Sequence, residues 1–127
     1  MTVDFWNSIQ HFNAKEFDSP DRAGSGFDNM NETLIRGLNY VRQQMEQPLR
    51  VNSGYRTKEH NKEVGGVVGS QHTLGKAADI HIDTQEMGDL IEYWFLDMLG
   101  EDVGIGRYNT FIHLDVRGHK ARWDNRI

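Results

Sequence analysis

At 127 residues, with 37% hydrophobic and 26% charged side chains, the chain has the size of one domain around a single core; two cores would each be too small to stand alone. Fourteen Lys plus Arg against nineteen Asp plus Glu leave a net charge of −5. With no basic cluster to meet phosphates, this balance argues against nucleic acid as a partner. Zero cysteines exclude disulfides, cysteine zinc fingers, iron–sulfur clusters and thiol nucleophiles, so any metal must be held by Asp, Glu and the six histidines. No apolar run approaches the ~18 residues that span a bilayer, so no membrane insertion is expected. The start, Met1-Thr2-Val3-Asp4-Phe5-Trp6, lacks the basic and apolar regions of a signal peptide. On this reading the chain is cytoplasmic as made and stays so until something else releases it.

Residues 1–20 read as one or two short helical turns that pack Phe5, Trp6, Ile9, Phe12 and Phe17. Residues 19–26 are a loop on composition. The strongest helix covers 29–46, where Met30, Leu34, Leu38, Val41 and Met45 recur at three- and four-residue steps beside Ile35. Asn29 and Glu32 fit a variant capping box at its start, and Pro48 marks its end. Residues 49–53 form a short strand candidate. A glycine-rich centre follows, with a short helix over 57–63 that ends at Gly65-Gly66.

From Ala77 to Asp83 the sequence alternates: Ala78, Ile80 and Ile82 point one way, and Asp79, His81 and Asp83 the other. Asp83 to Glu86 has the spacing of a capping box and opens a helix to about Leu99, packing Met87, Leu90, Ile91, Trp94, Phe95 and Met98. Residues 104–108 and 110–117 read as two antiparallel strands joined by a tight turn at Asn109. In the second, Ile112, Leu114 and Val116 face the core while Phe111, His113, Asp115 and Arg117 face away. The fold class is α+β, a small antiparallel sheet with helices packed on one side. The 127 residues are read as one domain.

A polar strand face is usually only a solvated face. Here two strands carry the same uncommon set, Asp79 and His81 on one, His113 and Asp115 on the other. Side chains two apart on a strand lie ~7 Å apart on one face, so neighbouring strands can converge an imidazole and a carboxylate on one point. His72, in the glycine-rich loop before the first strand, adds a third donor. Two histidines and one aspartate supply three ligands to a tetrahedral zinc and leave a position for water, the arrangement of a catalytic site. His-x6-Asp spacing alone is not specific. His11 and His119 have no acidic or histidine partner at ligand spacing, His60 beside Asn61 is expected to pack the short helix against the loop, and a nuclease reading of His60-Asn61 lacks a companion motif. Trp6, Trp94 and Trp123 read as core residues, with Trp123 the one allowed at a site edge.

Context makes the motif specific. Ser70-x-His72-x-x-Gly75-x-Ala77-x-Asp79, followed by Phe111-Ile112-His113, resembles the zinc D-Ala-D-Ala peptidase family of bacterial and phage cell-wall metallopeptidases, whose fold is shared with the hedgehog signalling domain. Val51-Asn52-Ser53-Gly54-Tyr55-Arg56, His60-Asn61, Val64-Gly65-Gly66, Phe12 to Phe17, Phe111 to Gly118 and Arg122-Trp123 extend the likeness over roughly residues 12–123.

The resemblance implies one zinc ion bound by His72, Asp79 and His113, with Arg56 in the active site. A guanidinium there can clamp a substrate carboxylate or hold charge developing on the attacked carbonyl oxygen. Ser70 and His81 are expected near the substrate. One departure matters: many relatives place an acid shortly before the last zinc histidine, whereas positions 109–112 here are Asn, Thr, Phe and Ile. Asp115 is the nearest replacement, either as proton acceptor or as a group that orients a neighbour. The activity implied is hydrolysis of an amide bond in peptidoglycan stem peptides or cross-links, of carboxypeptidase or endopeptidase type, by a monomer. The chain suits a phage endolysin, acting on the wall after release. The alternative is a non-catalytic zinc-containing binding module of the same fold.

Overall fold

The computed structural model describes all 127 residues. Five helices run Val3–Asn7 (α1), Ser25–Asn29 (α2), Glu32–Met45 (α3), Lys58–Glu63 (α4) and Gln85–Leu99 (α5), with 3-10 turns at Ala14–Phe17 and Gln71–Leu74. Five strands run Val51–Ser53 (β1), Ala77–His81 (β2), Gly104–Arg107 (β3), Phe111–Asp115 (β4) and Ala121–Asp124 (β5). They form one sheet in the order β1-β2-β4-β3-β5.

The α+β class holds, with the helices on one face of the sheet. Three strand pairs are antiparallel, and β5 adds a parallel pair with β3 at the edge that the sequence did not suggest. Its four residues, Ala-Arg-Trp-Asp, offer no clean apolar alternation, so periodicity could not find it.

Element starts moved where capping chemistry decided them. Asn31, not Asn29, caps α3, its side chain accepting the Leu34 N–H at 3.1 Å. Asn29 instead closes α2, a helix of five residues, too short to show a period in the sequence. Its start is held by Asp18, whose carboxylate accepts the N–H groups of Gly24 and Gly26 at 3.0 and 2.8 Å. Thr84, not Asp83, caps α5 through the Met87 N–H at 3.1 Å.

The core lies between the sheet and α3, α5 and the N-terminal segment. Phe5, Trp6, Ile9, Phe12 and Phe17 are all buried, as are Leu34, Ile35, Leu38 and Val41 on α3 and Ile91 and Phe95 on α5. Leu90 and Met98 are exposed, contrary to the amphipathic reading, because α5 buries only the narrow face that carries Gly88, Ile91 and Phe95. From the sheet come Ala78, Ile80, Ile82, Ile105, Ile112 and Leu114. Glycine at position 37 lets the two long helices close together; a β-carbon there would meet Leu99 Cδ1 at 2.8 Å.

The path of α5 sets up the other face of the sheet. It carries the chain from β2 to β3, which run parallel, and β4 then folds back into the gap between them. The second strand of the hairpin, β4, thereby lies directly against β2. Phe95→Ala should cost about 3–5 kcal/mol, the range for truncating a fully buried aromatic. Urea unfolding should show a lower midpoint with an unchanged slope.

Candidate metal centre

Opposite the core, the register of the sheet produces a transverse row. Ser53 pairs with Asp79, Asp79 with His113, His113 with Gly106, and Gly106 with Trp123. Paired residues share a face, so these side chains stand side by side. His72 arrives from the 3-10 turn just before β2. That turn is capped by Ser70, whose hydroxyl oxygen accepts the His72 N–H at 3.2 Å. It is tied to the end of β1 because the Arg56 N–H donates to the His72 carbonyl at 3.1 Å.

His72 Nε2 lies 3.3 Å, and His113 Nδ1 3.0 Å, from the same oxygen, Asp79 Oδ1. One donor atom from each of the three residues fits within a 4.8 Å span. The outer nitrogens fix what the inner ones can be. His72 Nδ1 sits 2.8 Å from the Gly54 carbonyl oxygen, and His113 Nε2 2.7 Å from Asp115 Oδ2. Both partners only accept, so both outer nitrogens carry hydrogens. In the neutral rings the lone pairs of His72 Nε2 and His113 Nδ1 then face a carboxylate oxygen. Three electron-rich atoms crowd one point, and only a cation relieves them. The donor set therefore fits a metal ion, and two imidazoles with one carboxylate suit zinc.

A proton is the smallest such cation. Burial pulls the His113 imidazole towards its neutral form, but hydrogen bonds to Asp115 and Asp79 outweigh burial and raise its pKa. For Asp79, burial favours the neutral acid, and the hydrogen bonds of His113 and His72 overcome this and hold the carboxyl well below the usual range. Asp115 behaves in the same way, with His113 and Arg117 against burial.

Asp115 is fully buried. Oδ2 takes His113 Nε2 at 2.7 Å and Arg117 Nη2 at 2.7 Å, while Oδ1 takes Arg117 Nε at 2.9 Å and the Arg117 N–H at 3.1 Å. Neither oxygen is left for another partner, and both sit behind His113, on the side away from Asp79. The space Asp115 occupies exists because its register partners are Ala77 and Gly104. A β-carbon on Gly104 would collide with the carboxylate. Likewise a β-carbon on Gly106 would collide with the Trp123 indole, whose ring lies 5.1 Å from that of His113.

Arg56 reaches the same point from the β1 side. Nη2 lies 3.4 Å from Asp79 Oδ2, Nε donates to Ser53 Oγ at 3.0 Å and Nη1 to Asn61 Oδ1 at 3.3 Å. Asn61 in turn donates to the Val67 carbonyl at 2.9 Å, which pins the glycine-rich loop. Ser70 borders the cleft over the triad. The structure does not bring His81 there: its Nε2 pairs with Asp83 Oδ1 at 3.0 Å on a partly exposed surface.

Sequence reasoning missed Gly54, Arg117 and Tyr108 as parts of the site, and allowed Trp123 only at its edge. A signal existed for one feature, since glycines two apart within a strand, Gly104 and Gly106, mark close approach by something bulky. No signal existed for the Gly54 carbonyl, which acts through its backbone.

The model of the Peptidase M15 family matches residues 10–115, which include His72, Asp79, His113, Asp115 and Arg56. The chain belongs to the Peptidase M15 family. No curated protein matches it. Membership supports a peptidase of a zinc-dependent family, and the His72, Asp79 and His113 group could hold the metal.

Because the raised pKa of His113 means that an incoming ion must displace its proton, metal affinity should fall as pH drops, beginning above the ordinary imidazole value of about 6.5. Titration calorimetry of the metal-free protein in two buffers of different ionisation heat should reveal proton release near neutral pH. Buffer-independent heats would contradict it.

Proposed function

We propose that the chain is a zinc metallopeptidase that hydrolyses an amide bond in the stem peptides or cross-links of peptidoglycan. The observation that carries this reading is the convergence of two imidazole lone pairs and one carboxylate oxygen on a single point bordering a cleft of about 330 Å³. The single hydrophobic cluster supports reading the 127 residues as one catalytic domain.

His72, Asp79 and His113 hold the ion. An ion bound there would supply Lewis acidity to the scissile carbonyl and would make a water more acidic. The surrounding residues prepare that centre. The Gly54 carbonyl and the Asp115 carboxylate lock the tautomers of the two histidines and raise their basicity. Of the two roles open to Asp115, its burial and four occupied contacts favour orienting His113 over accepting a proton from water. Arg56 presents its guanidinium at the edge of Asp79, where it stabilises negative charge growing on the attacked carbonyl oxygen. Ser70 acts on the site by holding the turn that delivers His72. Substrate is peptide; the net charge of −5 disfavours nucleic acid, and no helix is long and apolar enough to cross a membrane.

The rival reading is a non-catalytic zinc module. Its support is that the cleft over the triad offers no carboxylate except the ligand Asp79. Incubation with purified peptidoglycan, with zinc or with chelator, separates the two. Zinc-dependent appearance of new amino groups is expected, and zinc bound without turnover would overturn the enzyme.

Two substitutions assign the roles. His113→Ala should abolish both zinc binding and hydrolysis. Asp115→Asn should keep the fold and weaken zinc affinity about 10–100-fold, the usual loss when an outer partner of a metal-bound histidine is removed. If Asp115 were the proton acceptor instead, Asp115→Asn would lose turnover while binding zinc as tightly as wild type. Metal content and release of amino groups, measured on the same samples, decide between them.

A further inference from the structure

Resting on the reading above as a zinc peptidase of the wall, we propose that this enzyme cuts an internal peptide bond and not a terminal one, so that its substrate is a cross-linked or extended stem. The argument starts from the shape of the site. A second cleft, of about 260 Å³, opens between Asn52, Ser53, His60 and Val64 on the β1 side. The first lies over the triad itself and runs on past Tyr108, Arg117 and Trp123 on the β5 side. Both are bordered by Arg56, Asp79 and Phe111. They adjoin at these residues as arms of one groove along the transverse row of the sheet, from Ser53 to Trp123, with the triad on the floor of the β5 arm beside the junction.

Removal of a terminal residue needs a different site: an end where a free carboxylate meets an uncommitted cation. Neither arm offers an arginine or lysine without another partner, and His60 of the β1 arm already faces Glu63 at 3.9 Å. Arg117 is spent on Asp115 through two parallel contacts at 2.9 and 2.7 Å, and its plane rests on Trp123. Arg56 is divided among Ser53, Asn61 and Asp79, and it stands at the junction of the arms, beside the reacting bond, not at an end. The β5 arm is instead built for neutral peptide. Tyr108 stacks on Phe111 with ring centres 4.2 Å apart. Its hydroxyl accepts the Trp123 indole N–H at 2.8 Å, which leaves its own hydrogen free to bond a peptide carbonyl.

The test uses the zinc-loaded full chain and two defined substrates, a cross-linked muropeptide dimer and a pentapeptide monomer, with products identified by mass spectrometry. The dimer should be cut with a kcat/KM at least about tenfold above that for loss of the monomer's last residue. Amidating the monomer's terminal carboxylate should leave its residual rate unchanged. Preferential release of the terminal residue, or collapse of the rate on amidation, would overturn the proposal while leaving the peptidase reading intact. Zinc-loaded protein inert on both substrates would overturn the wall-peptidase reading and this proposal with it. Filling the β1 arm by Asn52→Trp should lower kcat/KM on the dimer about tenfold, mainly through KM, with zinc content and melting temperature unchanged. A dimer rate unaffected by that substitution, with the fold intact, would also overturn it.

Discussion

Two imidazoles and a carboxylate are held face to face at a separation that like partners would not choose, and the register of β2 against β4 is what holds them. Asp79 lies directly opposite His113 because ten backbone positions, five on each strand, are committed to one pairing. A slip of one residue in either strand would turn its Asp79 or His113 to the core and bring its Ile80 or Ile112 to the surface. The apolar residues that fill the core therefore also enforce the geometry of the site. The cost of bringing electron-rich groups together is carried by burial on the far side of the same strands.

The outer contacts of the histidines matter as much as the inner ones. Gly54 and Asp115 decide which nitrogen of each ring keeps its hydrogen, and so decide that both lone pairs point inward. Asp115 needs a buried, charged position for this, and burial of an unpaired carboxylate is costly. Arg117 supplies the compensating charge and is itself braced against Trp123. The three converging side chains thus rest on a second layer, an Asp–Arg–Trp stack, that the parallel edge strand β5 completes.

Small residues make the layer possible. Ala77, Gly104 and Ala121 flank Asp115 in its row, and Gly106 flanks His113. Glycine weakens a strand, since it adds entropy to the unfolded chain and packs nothing. Here the lost packing is replaced by the Asp115 carboxylate and the Trp123 indole, which occupy the space a side chain would take. On the opposite face the same strand, β3, carries Ile105 into the core and Arg107 onto Asp89 and Glu92 of α5, so β3 is anchored from one side while it yields room on the other.

Most elements and the three converging side chains were legible in the sequence. Alternation placed Asp79 and His113 on outward strand faces, helical spacing placed Leu34, Leu38 and Val41 in the core, and the ordered motifs from Ser70 to Asp79 and around His113 pointed to the family. These are local properties, read from residues a few positions apart. What no local reading could supply is adjacency. That β4 inserts between β2 and β3, that Trp123 reaches across Gly106 to His113, and that the carbonyl of Gly54 sets a tautomer eighteen residues away all depend on contacts between distant segments. The same holds for Asp115, whose side chain could face the cleft or the back of His113 with equal ease in an isolated strand. Only the packed sheet, with Arg117 folded over it and glycine beneath, decides which, because an ionised group goes where its charge is matched once water is excluded.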